Sequence, residues 1–298
     1  MKQTALLWAK EDGSATRFCL NEPFSLKDTF TCGQCFRFTP KDDGSYFGIA
    51  YGRAITIRED GSGEYTITPC TRNEFHTIWR RYFDLDTGYT AIKEAIGWDG
   101  HVRRGIDYAP GIRILNQEPF ETVISFIISA NNNIVRIGRI ISALCERYGE
   151  PICNGGHAFP TADALALATE EDLRKLGAGY RAGYILRTAR MVADGFDLTA
   201  IGELPLLDAQ KKLMELDGIG PKVADCILLF SLNHRDAFPV DTWVKKVLVR
   251  LYPNCDVRRP HAYSQSRFGP LCGYANQYLF HAIRMMGEEA FCRESCIQ

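Results

Sequence analysis

The sequence predicts an α+β protein: an antiparallel β-sheet domain over residues 1–112, then a larger, mostly helical domain over residues 113–298. Three observations predict it. Strand-like alternation of apolar residues marks the first third, helical periodicity takes over from about Ile114, and the two regimes meet near Pro110-Gly-Ile-Arg113. A chain of 298 residues has ample length to bury a core in each.

Within the first domain, Ala54-Ile-Thr-Ile-Arg58 and Tyr65-Thr-Ile-Thr68 alternate around Glu59-Asp-Gly-Ser-Gly63, the pattern of a hairpin. Cys35-Phe-Arg-Phe38 and Tyr46-Phe-Gly-Ile-Ala50 flank a second turn-rich segment, Thr39 to Ser45. Arg72 to Ile96 reads as helical. Beyond Ile114, helices are expected at 119–129, 134–148, 161–168, 170–176, 181–194, 206–216, 222–231, 242–251 and 274–286, joined by Gly, Pro and Asn punctuation. The 134–148 helix carries Ile134, Ile137, Ile140, Ile141 and Leu144 on one face.

Composition excludes several classes. Hydrophobic content of 46% and charged content of 24% are ordinary for a globular protein. No stretch approaches the roughly 20 apolar residues that cross a bilayer, and the first ten residues do not form a secretory signal. The expectation is an intracellular monomer with no membrane partner. The eleven cysteines are odd in number and scattered, the usage of a reducing compartment. Cys32-Gly-Gln-Cys35 has redox spacing but no βαβ pattern around it. Cys292 and Cys296 lack the further cysteines that zinc or an iron–sulfur cluster needs. A net charge of −1 leaves nucleic acid open, because a polyanion needs a local basic surface rather than a basic total.

Chemistry concentrates in Leu213-Met-Glu-Leu-Asp-Gly-Ile-Gly-Pro-Lys-Val-Ala-Asp-Cys226. A helix ends, Gly218 and Gly220 permit a tight turn, and Pro221 starts a new helix. Such a unit presents backbone amides at a helix N-terminus, where a phosphate is readily held, although an ordinary αα-hairpin has the same outline. Lys222 stands in the first turn of that second helix. The helix dipole and burial both disfavour an ammonium there, which suits an amine nucleophile. A lysine at a helix start is more often simply solvated. Nineteen residues later, Asp241 follows a rigid Pro-Val and precedes an amphipathic helix, so it is at least an N-cap. Capping leaves one carboxylate oxygen free for other work.

In this order and spacing, the hairpin, the Gly/Pro turn and the aspartate resemble the signature of the helix-hairpin-helix base-excision glycosylases. The flanking sequence is similar to the 8-oxoguanine DNA glycosylases, from Gly33-Gln-Cys-Phe-Arg37 to Tyr274-Ala-Asn-Gln-Tyr-Leu-Phe280. The likeness is densest at Ser129-Ala-Asn-Asn-Asn-Ile-Val-Arg-Ile137, Leu173-Arg-Lys-Leu-Gly-Ala-Gly-Tyr-Arg-Ala182 and Gly220-Pro-Lys-Val-Ala-Asp-Cys226. The resemblance implies a bifunctional glycosylase/lyase acting on duplex DNA that contains oxidised guanine, with Lys222 as nucleophile and Asp241 as its carboxylate partner. It also implies that the nucleotide is extruded from the helix. Tyr180 would wedge into the gap, while Asn131, Arg136 and Arg181 contact the orphaned cytosine. The carbonyl of Gly33 would accept the N7 hydrogen that 8-oxoguanine carries and guanine lacks. Phe280 and Cys226 would sandwich the base.

Two positions depart from the pattern of animal members. Asn276, with Gln277 beside it, replaces a glutamine that reads the base edge, leaving open which of the two does so. Trp243 replaces a histidine two residues past the aspartate. No cofactor or metal is expected for chemistry, though the hairpin carbonyls of Met214, Leu216 and Ile219 offer a place for a structural cation beside a phosphate. The rival readings are a glycosylase for alkylated purines, a DNA-binding module without chemistry, and a redox role for Cys32 and Cys35.

Overall fold

In the computed structural model, which describes residues 4–256 and 260–294, six strands make one antiparallel sheet. They are β1 (Leu6–Asp12), β2 (Ala15–Leu20), β3 (Phe38–Pro40), β4 (Tyr46–Ala50), β5 (Arg53–Gly61) and β6 (Glu64–Thr68), in the spatial order β1-β2-β6-β5-β4-β3. The hairpin expected around residues 59–63 forms as β5 and β6, with Ile57 opposite Ile67 and a register shift between Glu59 and Gly61. The pair expected over 35–38 and 46–50 also forms, but its first strand starts only at Phe38. Phe36 turns away instead and sets its ring edge-on against Phe126 of the helical region. The hairpin of β1 and β2 was not legible in the periodicity of its charged first strand. Its two-residue loop, Gly13-Ser14 with Gly13 at φ 61°, carried the signal.

One face of the sheet buries a set of aromatic rings against helix α1 (Leu26–Thr31) and the segment after β6. Phe30 stacks on Phe38 with centroids 4.1 Å apart, and Phe18 on Tyr65 at 5.2 Å. The stretch expected to be helical over Arg72 to Ile96 is broken. A single α-helical turn leads into a π-helical turn, Phe75–Trp79, and a further turn, Arg80–Tyr82. The chain reverses at Asp84, whose φ is 53°, before α2 (Tyr89–Ile96) begins.

The helical region contains α3 (Gly100–Tyr108), α4 (Pro119–Ser129), α5 (Ile134–Tyr148), α6 (Ala182–Ala193), α7 (Leu206–Leu213), α8 (Pro221–Phe230), α9 (Thr242–Leu251) and α10 (Cys272–Met286), with shorter turns between them. The α+β order of sheet first and helices second is as predicted. Helices α4 and α8 pack on each other and are buried nearly all round, so they form the middle of the second core. Helix α10 packs against both α3 and α9.

Buried polar groups tie the two regions together. Arg113, wholly buried, donates to Glu22 at 2.6 Å, and its guanidinium lies 4.5 Å over the Tyr89 ring. Glu22 also accepts from the amides of Tyr89 and Thr90, which caps α2 across 67 residues of sequence. Gln34, 1% exposed, donates to the carbonyls of Thr29 and Arg113 and accepts from the Leu115 amide. With all three contacts made, the loop that follows α1 is fixed against the helical region.

Candidate active site

The turn between α7 and α8 requires glycine at 218 on two counts. Its φ is +81°, and a Cβ there would stand 2.7 Å from the ring of Tyr184. Gly220 then N-caps α8 without any side-chain acceptor, and Pro221 occupies the first helical position. The first amides of α8 are therefore free to meet an external anion.

Lys222, half-buried, extends from this first turn with its Nζ 5.4 Å from the centroid of Phe126 on α4. One turn further along α8, Cys226 is buried, and burial pushes its thiol up to about 11 while Lys222 pulls the other way. Such a thiol is neutral and apolar at physiological pH. Asp241 caps α9, its Oδ1 accepting from the Val244 amide at 2.8 Å. Burial raises its carboxyl above the ordinary value, against the Val244 amide, Lys222 and Arg284, which lower it.

Gly33, Lys222, Cys226 and Asp241 converge on one small recess, closed by Phe280. Asn276 and Gln277 line it too, from the face of α10 that carries Phe280. The amide nitrogen of Asn276 is held at 2.9 Å by the Pro239 carbonyl, whereas that of Gln277 reaches the Cys32 carbonyl only at 3.5 Å. The recess has a volume of about 40 Å³, room for about three waters rather than a purine. It opens into a cleft of about 980 Å³ between the loop after α4 and the start of α9. Three cations, Lys222, Lys245 and Arg284, border that cleft against one carboxylate, Asp241. The net charge of the chain hides this local excess.

Arg284 escaped the sequence reading. It follows Phe280 by one helical turn, and nothing in the local pattern distinguishes it from a solvated arginine. Gln34 escaped as well, since its partners lie up to 81 residues away.

The residues expected to contact DNA gather on the lip of the cleft. Asn131 is exposed and left-handed, at φ 49°, and Asn133 N-caps α5. Arg136 is exposed and touches the Gly177 carbonyl at 3.4 Å. Tyr180, 57% exposed, stacks on the Arg181 guanidinium, while its hydroxyl reaches the Ala130 carbonyl at 3.3 Å. Arg181 differs from the expectation of an exposed contact. It is 3% exposed, and its guanidinium is held by the carbonyls of Ala130 and Asn131. In this structure it braces the asparagine loop and underlies Tyr180. Trp243 is exposed at the start of α9, with Lys246 over its ring.

Cys32 and Cys35 are both free and buried. Burial raises Cys32 to about 11 and Cys35 well above its ordinary value, so neither is a ready thiolate. Cys292 is buried and its expected companion, Cys296, lies outside the described residues. Among the described residues, no group of three His, Cys, Asp or Glu side chains is placed to hold a metal ion, and no helix is long and apolar enough to cross a membrane.

Residues 18–123 match the family described as 8-oxoguanine DNA glycosylase, N-terminal domain, and residues 124–266 match the HhH-GPD superfamily of base excision DNA repair proteins. A probable N-glycosylase/DNA lyase of Methanothermobacter thermautotrophicus is 33% identical over 241 residues, 72% of this chain and 76% of that protein. An N-glycosylase/DNA lyase of Arabidopsis thaliana is 31% identical over 282 residues, 87% of this chain and 77% of its own. The 8-oxoguanine glycosylase/lyase of Clostridium acetobutylicum, solved with double-stranded DNA containing cytosine opposite 8-oxoguanine, superposes with a TM-score of 0.90. It is 38% identical, over 94% of this chain and 99% of that one. By these matches the chain belongs to the helix-hairpin-helix family of 8-oxoguanine DNA glycosylase/lyases.

Proposed function

We propose that this enzyme extrudes 8-oxoguanine, preferably opposite cytosine, into the recess beneath Phe280, excises it, and cuts the strand through a lysine Schiff base. The observation that carries this reading is the convergence of Lys222 and Asp241 with Gly33, Cys226 and Phe280 on one pocket.

The lesion enters between Phe280 and Cys226, and the N7 hydrogen of 8-oxoguanine meets the carbonyl of Gly33. Guanine presents a lone pair there and is repelled. Asn276, anchored on Pro239, reads the Watson–Crick edge, with the more loosely held Gln277 beside it. Tyr180 fills the gap left in the duplex, and Asn131 and Arg136 meet the orphaned cytosine, joined by Arg181 if the 130–131 carbonyls release it. The amides of Gly218, Gly220 and Lys222 hold a phosphate.

As the glycosidic bond breaks, the bonding pair leaves with the base, and ionised Asp241 stabilises the positive charge growing on the sugar. The nitrogen lone pair of Lys222 Nζ attacks C1′, and the nitrogen then loses a proton. The sugar ring then opens, O4′ taking a proton and C1′ becoming an iminium. Loss of a proton from C2′ drives elimination of the 3′ phosphate, which leaves an unsaturated imine that water releases. No step needs a metal. A structural cation on the carbonyls of Met214, Leu216 and Ile219 belongs to the same reading as a bridge to DNA phosphate. Neutral carbonyl oxygens suit such an ion, although that of Leu216 already accepts from Ile219 at 3.3 Å. The enzyme acts on DNA inside the cell, as a monomer.

Borohydride reduction during reaction with an 8-oxoguanine·cytosine duplex tests the assignment. Wild type is expected to leave a covalent protein–DNA adduct, and Lys222→Gln none. Failure of wild type both to trap and to release the base would sink the substrate assignment.

A further inference from the structure

Arg284 presents a guanidinium that the protein leaves half used. One arm, Nη2, donates to the carbonyl of Thr31. The other, Nη1, is buried and has no hydrogen-bond partner. No carboxylate lies within ion-pair distance of it among the described residues, unlike Arg113, Arg235 or Arg267. A buried charged donor without an acceptor is costly, and one at the border of a cleft can be met by an acceptor that arrives with a ligand.

Its location says which acceptor. Nη1 stands 3.3 Å from where a Cβ on Gly33 would be, beside Cε1 of Phe280 at 3.4 Å. The same side chain borders the cleft with Asp241, and the two interact electrostatically. In the reading proposed above, Gly33 would face N7 of the extruded base, and Asp241 and Lys222 would face C1′, the sugar carbon bonded to N9. In the purine ring, the atom between N7 and N9 is C8, the carbon that oxidation converts from C–H to C=O.

We propose that Arg284 reads the lesion directly, donating its unpartnered Nη1 hydrogen to O8 of 8-oxoguanine. The proposal rests on the substrate assignment above and adds a second point of discrimination to the N7 contact. Guanine offers only a C8 hydrogen to that donor. The contact also acts on rate, because negative charge on the departing base spreads onto O8, where a fixed cation stabilises it. A neighbouring phosphate is the alternative acceptor. It is disfavoured because Nη1 is buried beside Gly33 instead of facing the open side of the cleft.

The test is Arg284→Met against wild type in three assays: single-turnover excision of 8-oxoguanine opposite cytosine, strand cleavage at a preformed abasic site, and binding to a duplex containing a tetrahydrofuran abasic analogue. The expected result is a loss of roughly tenfold to a hundredfold in excision alone, the worth of one charge-assisted hydrogen bond. Cleavage and binding without a base stay within about twofold of wild type, which also shows that the variant folds. Equal losses in all three assays would assign Arg284 to the backbone and overturn the proposal. So would no loss in any. Wild type that cuts abasic sites yet leaves 8-oxoguanine in place would remove the substrate assignment and the proposal together.

Discussion

Two arginines, one at the seam of the sheet and one at the cleft, show how differently the two regions treat a buried charge. Arg113 meets a carboxylate at 2.6 Å, the carbonyl of Asp84 at 2.7 Å and the faces of Tyr89 and Phe24; only its Nε lacks a partner. Arg284 has one carbonyl, the ring of Phe280 and, among the described residues, no ion pair. The first arrangement matches the charge with a carboxylate and holds the two regions in register. The second leaves the charge unmatched among the described residues, and borders the candidate site. Structural regions satisfy their polar groups internally, whereas a site keeps some of them unmet for its substrate.

Breaking the matched pair gives the largest expected change in stability. Glu22→Gln strands the Arg113 charge and takes one of the two acceptors that cap α2, a loss of about 3–5 kcal/mol by urea or thermal unfolding. The double substitution Glu22→Gln, Arg113→Met is expected to cost less than the sum of the two single changes. Strict additivity would show that the pair is not coupled. Arg284→Met, measured the same way, should shift stability by under about 1 kcal/mol, since little protein-internal bonding is lost.

At Asp241 the contrast can be sharpened by pH. Its carboxyl is raised by burial, so it holds its proton to a higher pH than an ordinary aspartate. Excision, which needs the ionised form, should therefore fall on acidification with a midpoint above the usual 3.8. Asp241→Asn should abolish that limb and slow excision about 10²–10³-fold. The sign for stability is opposite. A carboxyl raised in the folded state favours folding while protonated, and that advantage is lost as pH rises through its folded value. Asparagine keeps the cap and avoids the buried charge, so the variant should be slower yet at least as stable at neutral pH. A variant both slower and clearly less stable would show that the charge is structural.

A smaller effect is expected at the hairpin. Gly218→Ala places a Cβ against Tyr184 at a positive φ, costing about 1–3 kcal/mol and weakening DNA binding in proportion to the damage to the turn. Unchanged binding affinity in a folded variant would remove the hairpin from the DNA interface.

How much was legible follows the range of the interactions. Helices α4, α5 and α9 fall where periodicity and caps put them, because Pro119, Asn133 and Asp241 are local signals. The break-up of residues 72–96 was not legible. Its kinks serve the aromatic core formed by Phe18, Phe24, Phe30 and Phe38, residues distant in sequence. The same holds at the site. Lys222 and Asp241 could be read from one hairpin and one cap, and Gly33, Cys226 and Phe280 only through family resemblance. Gln34, Glu22 and Arg284 gain meaning from partners 67 to 253 residues away. Arg181 was legible as an arginine near the lip, but not as a buried one, because its acceptors are two main-chain carbonyls 50 residues upstream.

The shut recess beneath Phe280 bears on how the enzyme searches. With space for only a few waters, the recess as it stands does not seat a base, damaged or not. Contact with ordinary duplex is then confined to phosphates and the cationic lip, the sequence-blind attraction that lets a protein slide. Each sampled base must first open its own berth, and affinity for the lesion is reduced by the fraction of time that berth exists. A closed seat thus trades grip for speed of travel, which suits an enzyme whose target is one altered base among very many intact ones.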